Sequence, residues 1–183
     1  MKASRDSIVR EARELFRDRG YDGASMQDLA GRVGLKKASL YTRFPTKEAL
    51  VPDVLTLTQG DVFDGLPAAG GIEAYVTALG RIASGLSDRS RCVGLHLAYG
   101  VSVEETPDAA AAVRGFFIEQ RERLAEMLVA VVSHEQALEL AGDAIARLEG
   151  ATVWTTVEGD TRPMERALKA SINAAKALTD TPP

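Results

Sequence analysis

Lys36, Lys37, Tyr41, Thr42 and Arg43 crowd one short stretch of the chain. The lysines and arginine supply cations for phosphate oxygens. The phenol and hydroxyl supply hydrogen bonds to a sugar-phosphate backbone or a base edge. This is binding chemistry rather than covalent chemistry. Elsewhere the reactive side chains are few. Cys92 and His96 stand four apart, a helical spacing that suits a metal, but two ligands without a third or fourth do not make a site. His96 and His134 are the two histidines, no paired acid motif stands out, and glycine-rich phosphate loops are missing. No catalytic residue, no metal and no cofactor are therefore expected.

The cationic stretch needs a scaffold, and the surrounding pattern supplies helices. Ile8, Ala12, Leu15 and Phe16 form a stripe at helical spacing, which predicts a first helix over residues 4–19 stopped by Gly20. Ser25 caps a second helix, with Asp28 three residues on as a variant capping box, and Gly34 ends it. A short third helix is predicted over 36–43, closed by Pro45. Thr46 caps a fourth, which continues to Gly60 or Gly65. The turn Val33-Gly34-Leu35 contains the glycine that a sharp helix-helix corner wants. Leu29, Val33, Leu35, Leu40 and Phe44 can close a small core with Leu15 and Phe16. That leaves Lys36, Lys37, Tyr41, Thr42 and Arg43 on the outer side of the third helix, as insertion in a DNA major groove requires. The first position of this helix is Lys36, where Ser, Thr, Asp or Asn would stabilise it by about 1 kcal/mol. Two lysines there also oppose the helix dipole, and nearby phosphates would reverse that sign.

The run G-L-x-x-x-S-L-Y-x-x-F-P-T-K-E-A-L, from Gly34 to Leu50, resembles the signature of the TetR family. The end of the first helix, Leu15-Phe16 followed by Gly20-Tyr21, is similar to the family's opening. The resemblance covers residues 4–55 and implies a DNA-binding transcription regulator. By that resemblance Ser25 is a phosphate-contacting cap. Lys37, Ala38, Ser39, Tyr41 and Thr42 lie on the recognition helix, with Tyr41 reaching the DNA backbone. Lys47, on the first turn of the fourth helix, contacts a phosphate. Two positions depart from the pattern. Lys36 stands where the family has a small capping residue. Pro52 falls about one and a half turns inside the fourth helix, where proline removes a hydrogen bond and kinks the chain. The family uses this helix to link ligand domain and head, so a hinge is expected there.

Beyond a loop of Gly, Pro, Leu and Ala over 65–71, helices are predicted near 72–87, 92–101, 107–132, 134–158 and 162–179. Thr106-Pro107 reads as an N-cap with proline at the first helical position, and Ser133 with Gln136 as a capping box. Thr161 reads as the cap of the last helix, with Pro163 in its first turn, and Pro182-Pro183 as a frayed end. The resemblance implies a homodimer whose last two long helices pair with their mates in a four-helix bundle. Ala141, Ile145, Leu148 and Trp154 on one helix, with Leu168 and Ile172 on the other, fit that interface. Such proteins wrap their body helices around a small-molecule effector. Tyr75, Leu79, Cys92, His96, Tyr99, Arg114, Phe116 and Phe117 lie on those helices and are the candidate pocket.

Bulk properties set the bounds. The 183 residues contain 5% aromatics and a single cysteine, so no internal disulfide forms and a reducing cytoplasm fits best. Met1-Lys2-Ala3-Ser4 runs straight into a charged helix and does not read as a signal peptide. No stretch approaches the roughly 20 apolar residues of a membrane span. Residues 1–50 carry 11 Lys/Arg and 7 Asp/Glu, a net of +4; residues 51–183 carry 11 and 19, a net of −8, giving −4 in all. A basic head on an acidic body is what a chain needs if only the head meets a polyanion. The expected fold is all-α, with an N-terminal three-helix helix-turn-helix domain over residues 1–50. A C-terminal helical ligand-binding and dimerisation domain follows over 51–183, about nine helices in total. The expected function is that of a homodimeric repressor of a palindromic double-stranded DNA operator, released by an unknown small-molecule effector, in the cytoplasm and away from membranes. The alternative is a helical small-molecule-binding protein or enzyme with a coincidental basic N-terminal domain. Salt-sensitive retention on DNA separates the two.

Overall fold

The computed structural model describes residues 4–87 and 91–179; Met1-Lys2-Ala3 and Pro182-Pro183, used in the sequence reading, lie outside the described residues. Among the described residues the chain is all helix and loop. Its helices are α1 (Arg5–Gly23), α2 (Met26–Arg32), α3 (Lys37–Tyr41), α4 (Val51–Phe63), α5 (Gly71–Ser87), α6 (Val93–Ala98), α7 (Pro107–Glu126), α8 (His134–Glu158) and α9 (Arg162–Thr179), with a 3₁₀ turn at Glu48–Leu50. Two compact units share them. The first takes Met1–Gly60 and Val93–Phe117, the second Asp61–Cys92 and Ile118–Pro183.

In the first unit, local capping decides where helices start and stop. The Ser4 hydroxyl accepts the Ser7 N–H at 3.0 Å and opens α1. Gly20 (φ 69°, ψ −178°) breaks its regular course where the sequence predicted a stop, and one further turn follows. Ser25 opens α2 by accepting the Asp28 N–H at 3.1 Å. The end of α2 is a Schellman motif: Leu35 N–H reaches the Ala30 carbonyl (2.9 Å) and Gly34 N–H the Gly31 carbonyl (3.3 Å). Gly34 sits at φ 66°, a conformation that strains any residue with a Cβ. Thr46 Oγ1 accepts the Ala49 N–H at 3.1 Å, and the 3₁₀ turn then runs into α4.

This 3₁₀ turn corrects the expectation for Pro52. The α-helix proper begins at Val51, so Pro52 lies in its first turn rather than in its middle. A first-turn residue has no intrahelical partner for its N–H, so proline removes nothing there and the expected kink has no cause.

The core of this unit joins all its helices. Ile8, Leu15, Phe16, Leu29, Leu40, Phe44, Leu50 and Val54 are at most 2% exposed, and Val93, Leu97, Ala109, Val113 and Phe116 from α6 and α7 belong to the same cluster. Val33 and Leu35 pack half-buried at its edge. Each large apolar side chain so buried contributes about 1.5–3 kcal/mol. Close approach also needs Gly100 after α6, where a Cβ would sit 2.7 Å from the Cβ of Tyr21.

In the second unit, α5, α8 and α9 pack on one another through small residues. Ala137, Ala141, Ala144, Leu148 and Ala151 of α8 are buried, as are Ala74, Ala78 and Leu79 of α5 and Ala175 of α9. The buried Thr155 and Ser171 hydroxyls donate to the Ala151 and Ala167 carbonyls, both at 2.9 Å, so they cost little to bury. The predicted capping box opens α8: Ser133 Oγ accepts Gln136 N–H (3.2 Å) and Gln136 Oε1 accepts Ser133 N–H (3.1 Å). One boundary and one capping side chain differ from expectation. Helix α7 stops at Glu126 instead of 132, because Val129, Val131 and Val132 are poor helix formers and the chain turns there. Helix α9 starts where expected, with the Thr161 carbonyl taking the Glu165 N–H at 3.1 Å, but the Thr161 hydroxyl donates to Glu165 Oε1 and it is Asp160 Oδ1 that accepts the Arg162 N–H, at 2.6 Å.

Candidate nucleic-acid interface

Helix α3 is short, and one buried side chain fixes its roll. Leu40 is fully buried, while Lys37, Ala38 and Ser39 before it and Tyr41 and Thr42 after it are exposed. Lys36 stands at the N-cap, also exposed, with no side-chain cap hydrogen bond. Lys37 Nζ lies 5.7 Å from the centre of the Tyr41 ring, one helical turn on, within the range of a cation–π contact. The Thr42 hydroxyl donates to the Ala38 carbonyl at 3.0 Å. Arg43 is half-buried. The result is a narrow exposed ridge of cationic, hydroxyl and small side chains on a rigid base.

Ser25 is exposed at the start of α2, and its hydroxyl is engaged in both senses by Asp28: it accepts the backbone N–H and donates to Oδ2 at 2.6 Å. The Ser25 hydroxyl first, and the Arg19 guanidinium 3.0 Å away with it, hold the Asp28 carboxyl below its ordinary pKa. Lys47 turns back to the end of α1. Its Nζ donates to the Tyr21 carbonyl at 2.6 Å and lies 4.0 Å from the centre of the Tyr21 ring. Burial lowers its pKa, against the opposing pull of Asp22. Burial also raises that of the Tyr21 phenol, helped by Glu48 and Asp22.

The family model for the bacterial regulatory proteins of the tetR family matches residues 8–54, and the model for the C-terminal domain of LmrA/YxaF-like transcriptional regulators matches residues 68–170. The chain belongs to the TetR family. The family is one of transcriptional regulators, not of enzymes. Among curated relatives, the biofilm operon icaADBC HTH-type negative transcriptional regulator IcaR of Staphylococcus aureus (strain Newman) is 44% identical over 46 residues, a quarter of each chain. The Staphylococcus epidermidis protein of the same name is 41% identical over 46 residues. The matched segment thus spans about a quarter of these relatives' length. Solved TetR regulators share the fold across the chain. That of Legionella pneumophila has a TM-score of 0.77 at 22% identity, covering 93% of this chain and 96% of its own. That of Chloroflexus aurantiacus has a TM-score of 0.74 at 24% identity, covering 97% and 94%. The TetR regulator CifR, solved with 26-base-pair operator DNA, has a TM-score of 0.69 at 24% identity, covering 95% and 96%.

The residues expected at a TetR dimer interface divide by burial. Ala141 and Leu148 are fully buried in the chain's own α8 packing. Ile145, Leu168 and Ile172 are half-buried. Trp154 is 59% exposed, and Val153 and Val157 beside it are 59% and 69% exposed, an apolar stripe at one-turn spacing along the end of α8.

The residues expected in an effector pocket divide between the two units. In the second, Tyr75 and Leu79 are fully buried. The Tyr75 phenol donates to the Leu140 carbonyl at 3.3 Å, and burial pushes its pKa up to about 12. Cys92 hydrogen-bonds Glu149. In the first, Phe116 belongs to the core and meets Phe117 edge-on at 5.1 Å. His96 is half-buried, and Tyr99 and Arg114 are exposed. None of the eight lines the open groove of about 310 Å³ between α1 and α4, which is bordered by Arg5, Val9, Arg10, Asp53 and Leu57. Cys92 and His96 lie in different units. Among the described residues no group of three or more His, Cys, Asp or Glu is placed to hold a metal, and no helix is long and apolar enough to cross a membrane.

Sequence reading missed Glu48. Its Oε1 accepts the N–H of Asp108 at 2.9 Å and of Ala109 at 3.0 Å, at the start of α7. The signal was its place directly after Lys47 in the family motif.

Proposed function

We propose that this chain is a homodimeric TetR-type repressor that reads a palindromic double-stranded operator with α3 and releases it when a small molecule binds the body. The exposed ridge of α3, anchored by fully buried Leu40, carries the reading. In this reading Lys37, Ala38, Ser39 and Thr42 face the groove, with Tyr41, Lys36, Arg43, Ser25 and Lys47 toward the backbone. Residues 1–50 are the DNA-binding domain, and residues 51–183 carry effector and dimer surfaces. IcaR is named as a negative regulator, and CifR was solved on operator DNA, which supports repression through an operator. The exposed apolar stripe Val153, Trp154 and Val157 supports a two-fold dimer, to which the half-buried Ile145, Leu168 and Ile172 would contribute. A reader of palindromic half-sites needs that symmetry. The reducing cytoplasm, with its DNA, is the compartment this function requires.

The experiment is selection of an operator from a random-sequence duplex pool, followed by titration. Lys37→Ala and Tyr41→Ala are expected to weaken operator binding by about 1–3 kcal/mol with the fold intact. Lys47→Ala is expected to weaken specific and non-specific binding alike and to lower the salt slope by about 1. Folded variants that bind as well as the parent overturn the assignment of α3.

A further inference from the structure

Glu48 follows Lys47 in the motif that marks the DNA-reading segment, but its side chain turns to α7. There it completes an account of the helix's first N–H groups. Pro107 has none; Asp108 and Ala109 donate to Glu48 Oε1; Ala110 donates to the Thr106 carbonyl at 2.9 Å. Thr106, the cap expected from sequence, is already engaged. Its Oγ1 accepts Ser102 N–H at 2.9 Å and donates to the Ser102 carbonyl at 3.1 Å, closing the preceding turn on itself. The cap of a 20-residue helix therefore comes from a carboxylate 60 residues earlier, held by two charge-assisted hydrogen bonds at the helix's positive end.

The dipeptide Lys47-Glu48 is anchored on both sides. Lys47 holds the end of α1 through the Tyr21 carbonyl, and Glu48 holds the start of α7. Between this dipeptide and α3 lie only residues 42–46, and Phe44 among them is 1% exposed. A shift of the Lys47-Glu48 turn is thus handed directly to the recognition segment.

We propose that Glu48 is a positioning residue for operator binding: by pinning the turn before α4 to the N-terminus of α7, it fixes the pose of α3 without itself touching DNA. This rests on the reading of α3 as the recognition helix. Linkage gives it a second consequence. If the cap favours the DNA-competent pose, operator binding must in turn strengthen the cap by the same factor.

The test uses the full chain and the operator selected by the parent. Glu48→Ala is expected to lower operator affinity about tenfold with the salt slope unchanged, because no phosphate contact is lost. Glu48→Gln keeps an acceptor oxygen at the same reach and is expected to recover affinity to within about threefold of the parent, a neutral acceptor being the weaker one. Hydrogen exchange supplies a readout that a purely structural role would not move. Operator should slow exchange at the Asp108 and Ala109 amides in the parent and in Glu48→Gln. If Glu48→Ala proves unfolded by circular dichroism, the parent exchange and Glu48→Gln affinity decide the matter. Parent-like affinity of folded Glu48→Ala, a lowered slope, or no DNA-linked protection at Asp108 and Ala109 overturns the proposal. A parent that selects no sequence from the pool overturns the DNA-reading assignment itself, a result distinct from all of these.

Discussion

The Lys47 ammonium lies 2.6 Å from the Tyr21 carbonyl oxygen and 4.0 Å from the centre of the Tyr21 ring. A charged donor on a helix-end carbonyl combined with a cation–π contact is a structural clasp, whatever Lys47 also does on DNA. Lys47→Ala is therefore expected to destabilise the DNA-free protein by about 1–3 kcal/mol. Urea unfolding of the two proteins checks this. An unchanged midpoint would show that the clasp contributes nothing in water.

Burial within the chain separates the proposed interface from the core on α8. Trp154→Glu places a charge on the exposed stripe and is expected to yield folded monomers, or insoluble protein if the monomer does not survive alone. Leu148→Glu buries a charge in a fully packed site. It is expected to unfold the chain, since an unpaired buried charge or its neutralisation costs several kcal/mol. Sedimentation and circular dichroism distinguish the outcomes. A parent that sediments as a monomer at micromolar concentration removes the dimer reading.

Pro52 sits in the first turn of α4, so its replacement is expected to be quiet. Pro52→Ala should change stability by no more than about 1 kcal/mol, mostly through the entropy of the unfolded chain. The effector-induced loss of operator affinity should match the parent's. A larger stability change, or an altered effector response, would show that Pro52 does shape the helix.

Glu149 introduces a pH dependence whose sign is fixed. Burial raises its folded pKa above the ordinary 4.5, with the Cys92 hydrogen bond opposing, and its Oε2 is buried without a partner. Below the ordinary value the carboxyl is protonated folded or unfolded, and nothing is lost. As pH rises through the window up to the raised value, the unfolded chain ionises first and the folded state loses stability. Glu149→Gln cannot ionise and still offers Cys92 an acceptor. Its urea midpoint should gain on the parent's as pH rises from 4.5 to 8. Parallel midpoints across that range would show that the carboxyl is solvated.

Features that depend on neighbours a few residues away were legible in the sequence. Ser25, Thr46 and Ser133 each find their backbone partner three residues on, so the caps of α2, of the turn into α4 and of α8 follow from residue order. The corner at Gly34 and the anchoring of α3 by Leu40 follow in the same way. Features that depend on competition or on distant chain were not. Thr106 holds the expected N-cap position and its carbonyl takes the Ala110 N–H, but Ser102 takes its hydroxyl and the capping side chain is Glu48, from 60 residues away. Lys47 has the type and place of a phosphate ligand, and only the packing of α1 shows its ammonium engaged by Tyr21. Along α8 the spacing of Ala141, Leu148 and Trp154 marks an apolar helix. Which part the chain keeps for its own core depends on where α5 and α9 pack, and no period in the sequence encodes that. For the eight pocket candidates, aromatic and thiol side chains on body helices carry no spacing that separates a core position from a cavity wall: Tyr75, Leu79 and Phe116 are buried, while Tyr99 and Arg114 are exposed.

Trp154 is the single tryptophan of the chain and stands 59% exposed on the stripe proposed to meet a second copy. The protein therefore carries a built-in optical probe at one defined place. Its indole emission should lie to the red in a dilute monomer and move to the blue, with lower accessibility to iodide quenching, as protein concentration rises through the dimer dissociation constant. No label is needed, and the same signal can be followed while operator is titrated, so assembly is reported apart from DNA binding.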